Sequence, residues 1–266
     1  MSRKKRKPHK FKKKKPFYRK KVFWLIVFFI VAFSSLIYFL FFSGFFELKK
    51  INIEGDFDKI SEKEVSLFIE RELQEDNFLF LPSKNIFLTN PSIIKEKLLG
   101  KFPQASEIKI NRAFPDSLNV LIQERKESAF FCREEKCFFL DEEGIVFEFG
   151  QQQESLVKIR DKRTSTLPKL GEKIIESKKI DLILKINSEL EQDLELEIEE
   201  FIFLPEKLIV STKEGWDAYF NIENNIDWQI IKLKVLLSER ADDFRRENLE
   251  YIELRFGNFA NPKYRD

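Results

Sequence analysis

The chain has 266 residues, with 47 Lys and Arg against 45 Asp and Glu and a single His, a length that holds a membrane anchor and one or two small domains. Thirteen of the cations precede Val22 with no acid among them, so the remaining 34 face all 45 acids and the body is acidic, which speaks against a nucleic-acid-binding body with a basic face of its own. Thirty Phe beside only eight Gly and nine Pro exclude a disordered chain, because there is ample apolar surface to bury.

Residues 1–21 form a basic tail, RKKRKPHKFKKKK at its centre. Residues 22–42, VFWLIVFFIVAFSSLIYFLFF, carry no charge. As a helix they rise roughly 31 Å, and a bilayer core is about 30 Å thick. Ser34 and Ser35 are tolerable because a hydroxyl bonds back to a helical carbonyl. A cleaved signal peptide has a shorter apolar region and a small-residue cleavage site; here the stretch ends in FFSGFF. The reading is an uncleaved signal anchor. Cations flanking a span stay in the cytoplasm, so the tail is expected inside and everything after Ser43 outside. Span and tail both meet lipid, and each cation near an anionic surface adds on the order of 1 kcal/mol. Nothing calls for nucleic acid.

ELKKINIEG, with Leu48, Ile51 and Ile53, reads as a strand and a turn at Gly55. Ser61 and Glu64 form an S-x-x-E capping box, and Val65, Phe68, Ile69 and Leu73 keep helical spacing over about 62–74. NPSIIKEKLLG predicts a second helix, with Asn90 as N-cap, Pro91 at the first position and Gly100 past the end. EIKINR and LNVLIQER alternate as two strands around a turn at Pro115 and Asp116.

FFCREEKCFFL sets Cys132 and Cys137 around a polar loop at 133–136, which reads as a β-hairpin. The sulfurs then face each other in a compartment that permits disulfides, and a Cys132–Cys137 bridge is expected. Two free thiols packed as small hydrophobes are the alternative. A zinc site needs four ligands, and the only His, His9, lies across the membrane, so no metal is expected.

LDEEGIVFEF continues as a turn and a strand with Ile145, Phe147 and Phe149 alternating. Ser177 is expected to cap a helix carrying Ile180, Ile183, Leu184 and Leu190. DLELEIEEFIF reads as a strand whose Glu195, Glu197 and Glu199 share a solvated face; such acids are more often surface than site. LIVSTKEGWDAYFNI gives two strands around 213–215, Asp227 caps a helix to about Arg240, and LEYIELRFGN forms a last strand.

Strand, helix, helix, strand, strand is the order of a POTRA domain. Together with the basic tail, the single span, FPDSLNVLIQERKESAFF and FLDEEGIVF, this resembles the bacterial cell-division proteins FtsQ/DivIB. Pro115, Leu118, Val120, Ile122, Glu124, Arg125 and Ala129 fall in place on the motif that ends their POTRA domain. Lys126-Glu127-Ser128 departs from it where the family usually has a Pro, and Glu253 stands where an Asp is usual. Glu124 and Arg125 read as shaping a domain junction. The expected fold class is α+β: a tail at 1–21, a transmembrane helix at 22–42, a POTRA domain at 46–125, a β domain with flanking helices at 126–258 and a C-terminal tail at 259–266.

The resemblance implies a non-enzymatic divisome scaffold in the plasma membrane at the septum, binding FtsB-like and FtsL-like single-span proteins and helping recruit and regulate septal peptidoglycan synthesis. It implies a partner strand added at the last strand, which places the contact on Arg255, Phe256, Gly257 and Asn258; core packing is the other reading of Phe256. The residues agree with binding over catalysis. The outer body has no His, no Gly-rich phosphate loop and no Ser or Cys with an evident base, so no catalytic residue and no cofactor is expected. The alternatives are a POTRA-bearing adaptor in protein export or envelope assembly, and a membrane-anchored cell-wall hydrolase working through two carboxylates.

Overall fold

The computed structural model describes residues 20–75, 84–134, 136–151, 155–163, 166–239 and 246–265; the basic tail before Lys20 lies outside them. The chain is α+β, with an apolar N-terminal helix ahead of two sheets. Helix α1, Lys21–Phe42, buries none of its side chains, as its all-round apolar sequence requires of a helix that meets no protein core.

The first sheet, three-stranded among the described residues, has the order β1-β3-β2. Strand β1 is Lys50–Glu54, β2 Ala105–Ala113 and β3 Ser117–Glu124, with helices α2, Glu62–Glu75, and α3, Pro91–Lys101, between β1 and β2. Central strand β3 runs parallel to β1 and antiparallel to β2. Its period of two buries Leu118, Val120 and Ile122 and turns Asn119, Leu121 and Gln123 out. Val65, Ile69 and Leu73 of α2 and Ile94 and Leu98 of α3 close over the buried face. Asn90 accepts the Ser92 N–H at 3.0 Å at the start of α3. Gly100, expected past the end, is still helical: α3 continues to Lys101 and stops where Phe102 turns into the core, its N–H bonded to the Leu98 carbonyl at 2.8 Å.

The second sheet has nine described strands. They are β4 Ala129–Arg133, β5 Lys136–Leu140, β6 Val146–Gly150, β7 Val157–Asp161, β8 Ile198–Phe203, β9 Leu208–Thr212, β10 Asp217–Phe220, β11 Leu249–Glu253 and β12 Asn261–Tyr264. Their spatial order is β12-β11-β10-β9-β8-β7-β4-β5-β6. Two parallel neighbours, β7–β8 and β10–β11, are joined through helices α4, Ser177–Leu194, and α5, Ile226–Glu239, because a parallel pair needs a crossover that a tight turn cannot supply. The main core lies between these helices and the sheet: Ile180, Ile183, Ile186 and Leu190 of α4 and Ile230, Leu233 and Leu237 of α5 pack on Phe131, Phe201, Phe203 and Phe220. On the opposite face, Phe130, Cys132, Phe139 and Phe147 form a smaller cluster.

Several local boundaries differ from the sequence reading. Arg133 and Lys136 are paired in β4 and β5, which shortens the expected four-residue hairpin loop. Cys132 and Cys137 stand directly opposite and are bonded, with Cα atoms 4.1 Å apart. Ser177 is the first helical residue of α4, not its cap. Leu194 ends that helix and Glu195 takes a left-handed φ of 51°, so the acidic alternation spans a helix end and a loop, and β8 begins only at Ile198. At α5 the side-chain cap is Asn225, whose Oδ1 accepts the Trp228 N–H at 3.1 Å, not Asp227. Residues 259–266, expected as a tail, contain β12, paired antiparallel to β11.

Candidate functional site

The four residues chosen from the sequence are not in the final strand. Strand β11 ends at Glu253. Leu254 is fully buried and bonds its N–H to the Tyr219 carbonyl at 3.1 Å. Arg255 then folds back on its own strand: Nε and the second guanidinium nitrogen each donate to Glu253 at 2.8 Å, a two-point ion pair. Gly257 has φ +64°, a conformation that costs an L side chain but not Gly, and here the chain reverses into β12. Arg255, Phe256, Gly257 and Asn258 therefore build the β11–β12 turn. Phe256 is 61% exposed, with the Arg255 guanidinium 4.8 Å from its ring centroid, and Phe259 is 79% exposed. The core reading of Phe256 does not hold, because the turn lifts the ring off the sheet.

Sequence reasoning missed Lys232. This α5 side chain is only 6% exposed. Its Nζ donates to the carbonyls of Leu254, of Phe256 at 3.4 Å and of Gly257 at 3.2 Å, so one ammonium gathers the backbone of the turn. Burial lowers its pKa, against a smaller opposing pull from Glu253. Burial would raise the Glu253 carboxyl, but its bonds to Arg255 prevail and its pKa is lowered. The available signal was a Lys inside the apolar run IIKLKVLL.

Helix α5 also carries a second apolar stripe. Trp228, Ile231 and Val235 are exposed at i, i+3 and i+7, one face of a helix. This stripe and residues 258–262 line a groove of about 600 Å³. Strand β12 beside it is the outermost of the sheet. It contains Pro262, which has no N–H to offer a neighbour.

A second polar feature joins the two sheets. The Glu124 carboxylate accepts backbone N–H groups from Asp58 at 3.3 Å, Lys59 at 3.1 Å and Ile60 at 2.7 Å. Arg125 donates to the Pro103 carbonyl at 3.1 Å and pairs with Asp141. Lys59 pairs with Glu127 and, at 2.8 Å, with Glu148, its ammonium 4.6 Å from the Phe139 ring centroid. Burial would lower the Lys59 pKa, but the two carboxylates outweigh it and the pKa is raised. Asp58, Lys59, Glu124, Arg125 and Glu127 border a cleft of about 970 Å³, and the charges of the last four are engaged in joining segments distant in the chain. Among the described residues, no group of three or more His, Cys, Asp or Glu could hold a metal ion.

Fold and surface define a class: an α+β body of two sheets behind a helix long and apolar enough to cross a membrane, with an apolar groove beside the outermost strand of the larger sheet. No family model matches the chain. It is 25% identical over 156 residues to the cell division protein DivIB of Clostridium acetobutylicum, covering 58% of each chain. It is 28% identical over 131 residues to the cell division protein DivIB of Clostridium botulinum, covering 49% of this chain and 46% of that one. The matches span about half the length of these relatives, and they support the FtsQ/DivIB family for this chain.

Proposed function

We propose that the chain is a non-enzymatic scaffold of the bacterial division machinery. Helix α1 spans the plasma membrane once, the basic tail stays in the cytoplasm, and the body works outside at the septum. The order strand, helix, helix, strand, strand in the first sheet supports reading it as a POTRA domain. The relatives named as division proteins support the division role.

The observation that carries a binding function is the apolar groove beside β12. A partner strand added at β12 gains affinity from backbone bonds, and its flanking side chains meet Trp228, Ile231, Val235 and Phe259, all exposed. The partner class is an FtsB-like or FtsL-like single-span protein, through which the scaffold helps recruit and regulate septal peptidoglycan synthesis. Among the described residues, the carboxylates with a displaced pKa, Asp161, Glu197 and Glu253, all move down, whereas a glycosidase acid is held up.

The test is site-specific photo-crosslinking from Phe256, Asn258 and Phe259 in intact membranes, with mass spectrometry of the adducts and imaging of the tagged full chain. A small single-span partner and midcell signal are the expected result. No adduct from any of the three removes the site assignment. A dispersed envelope signal removes the division role in favour of an export or assembly adaptor.

A further inference from the structure

The end of α1 is fastened to the first sheet. Asn85, buried, donates its side-chain amide to the carbonyls of Leu40 at 2.9 Å and Phe41 at 3.2 Å. Those carbonyls belong to the last turn of the helix, where no intrahelical partner exists. The chain leaving α1 then pairs with the same segment: Ile86 N–H bonds the Phe46 carbonyl at 3.0 Å and Leu48 N–H the Lys84 carbonyl at 2.8 Å. Thr89 in turn holds Asn85 by a 3.1 Å hydroxyl bond to its carbonyl. The link is thus a built joint.

A run of aromatic rings leads away from this joint. Phe41 and Phe87 have centroids 6.5 Å apart, Phe46 and Phe87 5.1 Å, and Phe87 and Phe114 5.4 Å. Phe114 is 72 positions beyond the helix end, in the β2–β3 turn, and is 60% exposed. Phe45, Phe87 and Leu88 are exposed beside it. Phe46 packs against the core of the first sheet, whereas Phe41, Phe45, Phe87, Leu88 and Phe114 are not among the residues of that core.

We propose that this face rests on the bilayer that α1 spans, with Phe45, Phe87, Leu88 and Phe114 in the interfacial layer on the side of the body. The inference rests on the reading of α1 as a span. Twenty-two helical residues cover roughly 33 Å, so the last turn reaches the edge of a core about 30 Å thick. The patch continues directly from that turn, which sets its depth, and Phe and Leu side chains enter this boundary by about 5–10 Å. Strand β3 starts at the same end, where Asp116 accepts the Lys49 N–H at 2.8 Å. Its eight residues carry the chain roughly 24 Å farther before the second sheet begins. The first sheet therefore acts as a spacer of set height, standing on the membrane by its aromatic foot.

The test uses the full chain in phosphatidylcholine–phosphatidylglycerol vesicles containing nitroxide lipids. A thiol-reactive fluorophore is placed by Val31→Cys at the middle of the helix, by Phe114→Cys or Leu88→Cys in the patch, and by Glu191→Cys on α4. The native cysteines stay bonded to each other. Quenching by deep nitroxides at 31 and by shallow nitroxides at both 114 and 88, with none at 191, is the expected pattern. Quenching at 31 while 114 and 88 behave like 191 overturns the inference and leaves the span standing. No quenching at 31 removes the span, and the inference with it. Two separate patch positions keep the result from hanging on loss of the Phe114 ring.

Discussion

Replacing Lys232 by Met keeps the side chain's length and apolar stem but removes the ammonium that holds the β11–β12 turn. Three carbonyls lose a donor, yet they do not lose it equally. Phe256 and Gly257 are exposed and water replaces the ammonium there, whereas Leu254 is fully buried. One buried acceptor left unsatisfied costs about 1–3 kcal/mol. Part of that is offset because a desolvated charge is also removed, so a net loss of about 1–2 kcal/mol is expected. At about 2–4 °C per kcal/mol for a body of this size, the melting temperature of the detergent-solubilised protein should fall by roughly 2–8 °C. Lys234→Met is the matched control. Its ammonium pairs with Glu189 at 2.7 Å and Asp193 at 2.6 Å on the helix surface, where ion pairs contribute about 0–1 kcal/mol. The reasoning is refuted if the two variants melt together, or if crosslinking from Phe256 is unchanged in Lys232→Met.

Acid should loosen the same turn. The pKa values of Glu253 and Asp161 are lowered in the folded protein despite their burial, through Arg255 and Arg163 respectively. Each pair's contribution is full above the unfolded carboxyl pKa and is lost as pH falls through the lower folded value. Melting curves taken downward from pH 7 should therefore stay flat until the ordinary carboxylate range and then drop, and Glu253→Gln should reduce the drop. Opening the Cys132–Cys137 bridge by reduction should cost about 2 kcal/mol, because the loop it closes is short; urea unfolding with and without reductant measures it. Glu124→Gln leaves an amide N–H facing backbone donors at residues 58–60, and a loss of about 1–3 kcal/mol is expected. Faster hydrogen exchange at those three amides, with the α5 region unchanged, would separate this from general unfolding.

Much of the architecture was legible because it follows from local chemistry. The uncharged 22–42 segment can only be a helix that meets lipid or apolar protein, since its backbone must bond to itself away from water. The alternation in LNVLIQER set the faces of β3, and Asn90-Pro91 set the start of α3, because period and capping are properties of a few neighbouring residues. The opposed cysteines of β4 and β5 were readable for the same reason.

What tertiary structure decided lies where partners are distant in the chain. Strand β12 has no apolar alternation and contains a Pro; it is a strand because β11 offers it a ladder and Gly257 lets the chain return. Trp228, Ile231 and Val235 look like core in sequence, and only the packing of α5 shows that a different stripe faces the sheet. Lys232, Glu124 and Asn85 each hold backbone 22 to 66 residues away. No spacing in the sequence marks such bonds, because the groups they satisfy are main-chain atoms that every residue carries alike.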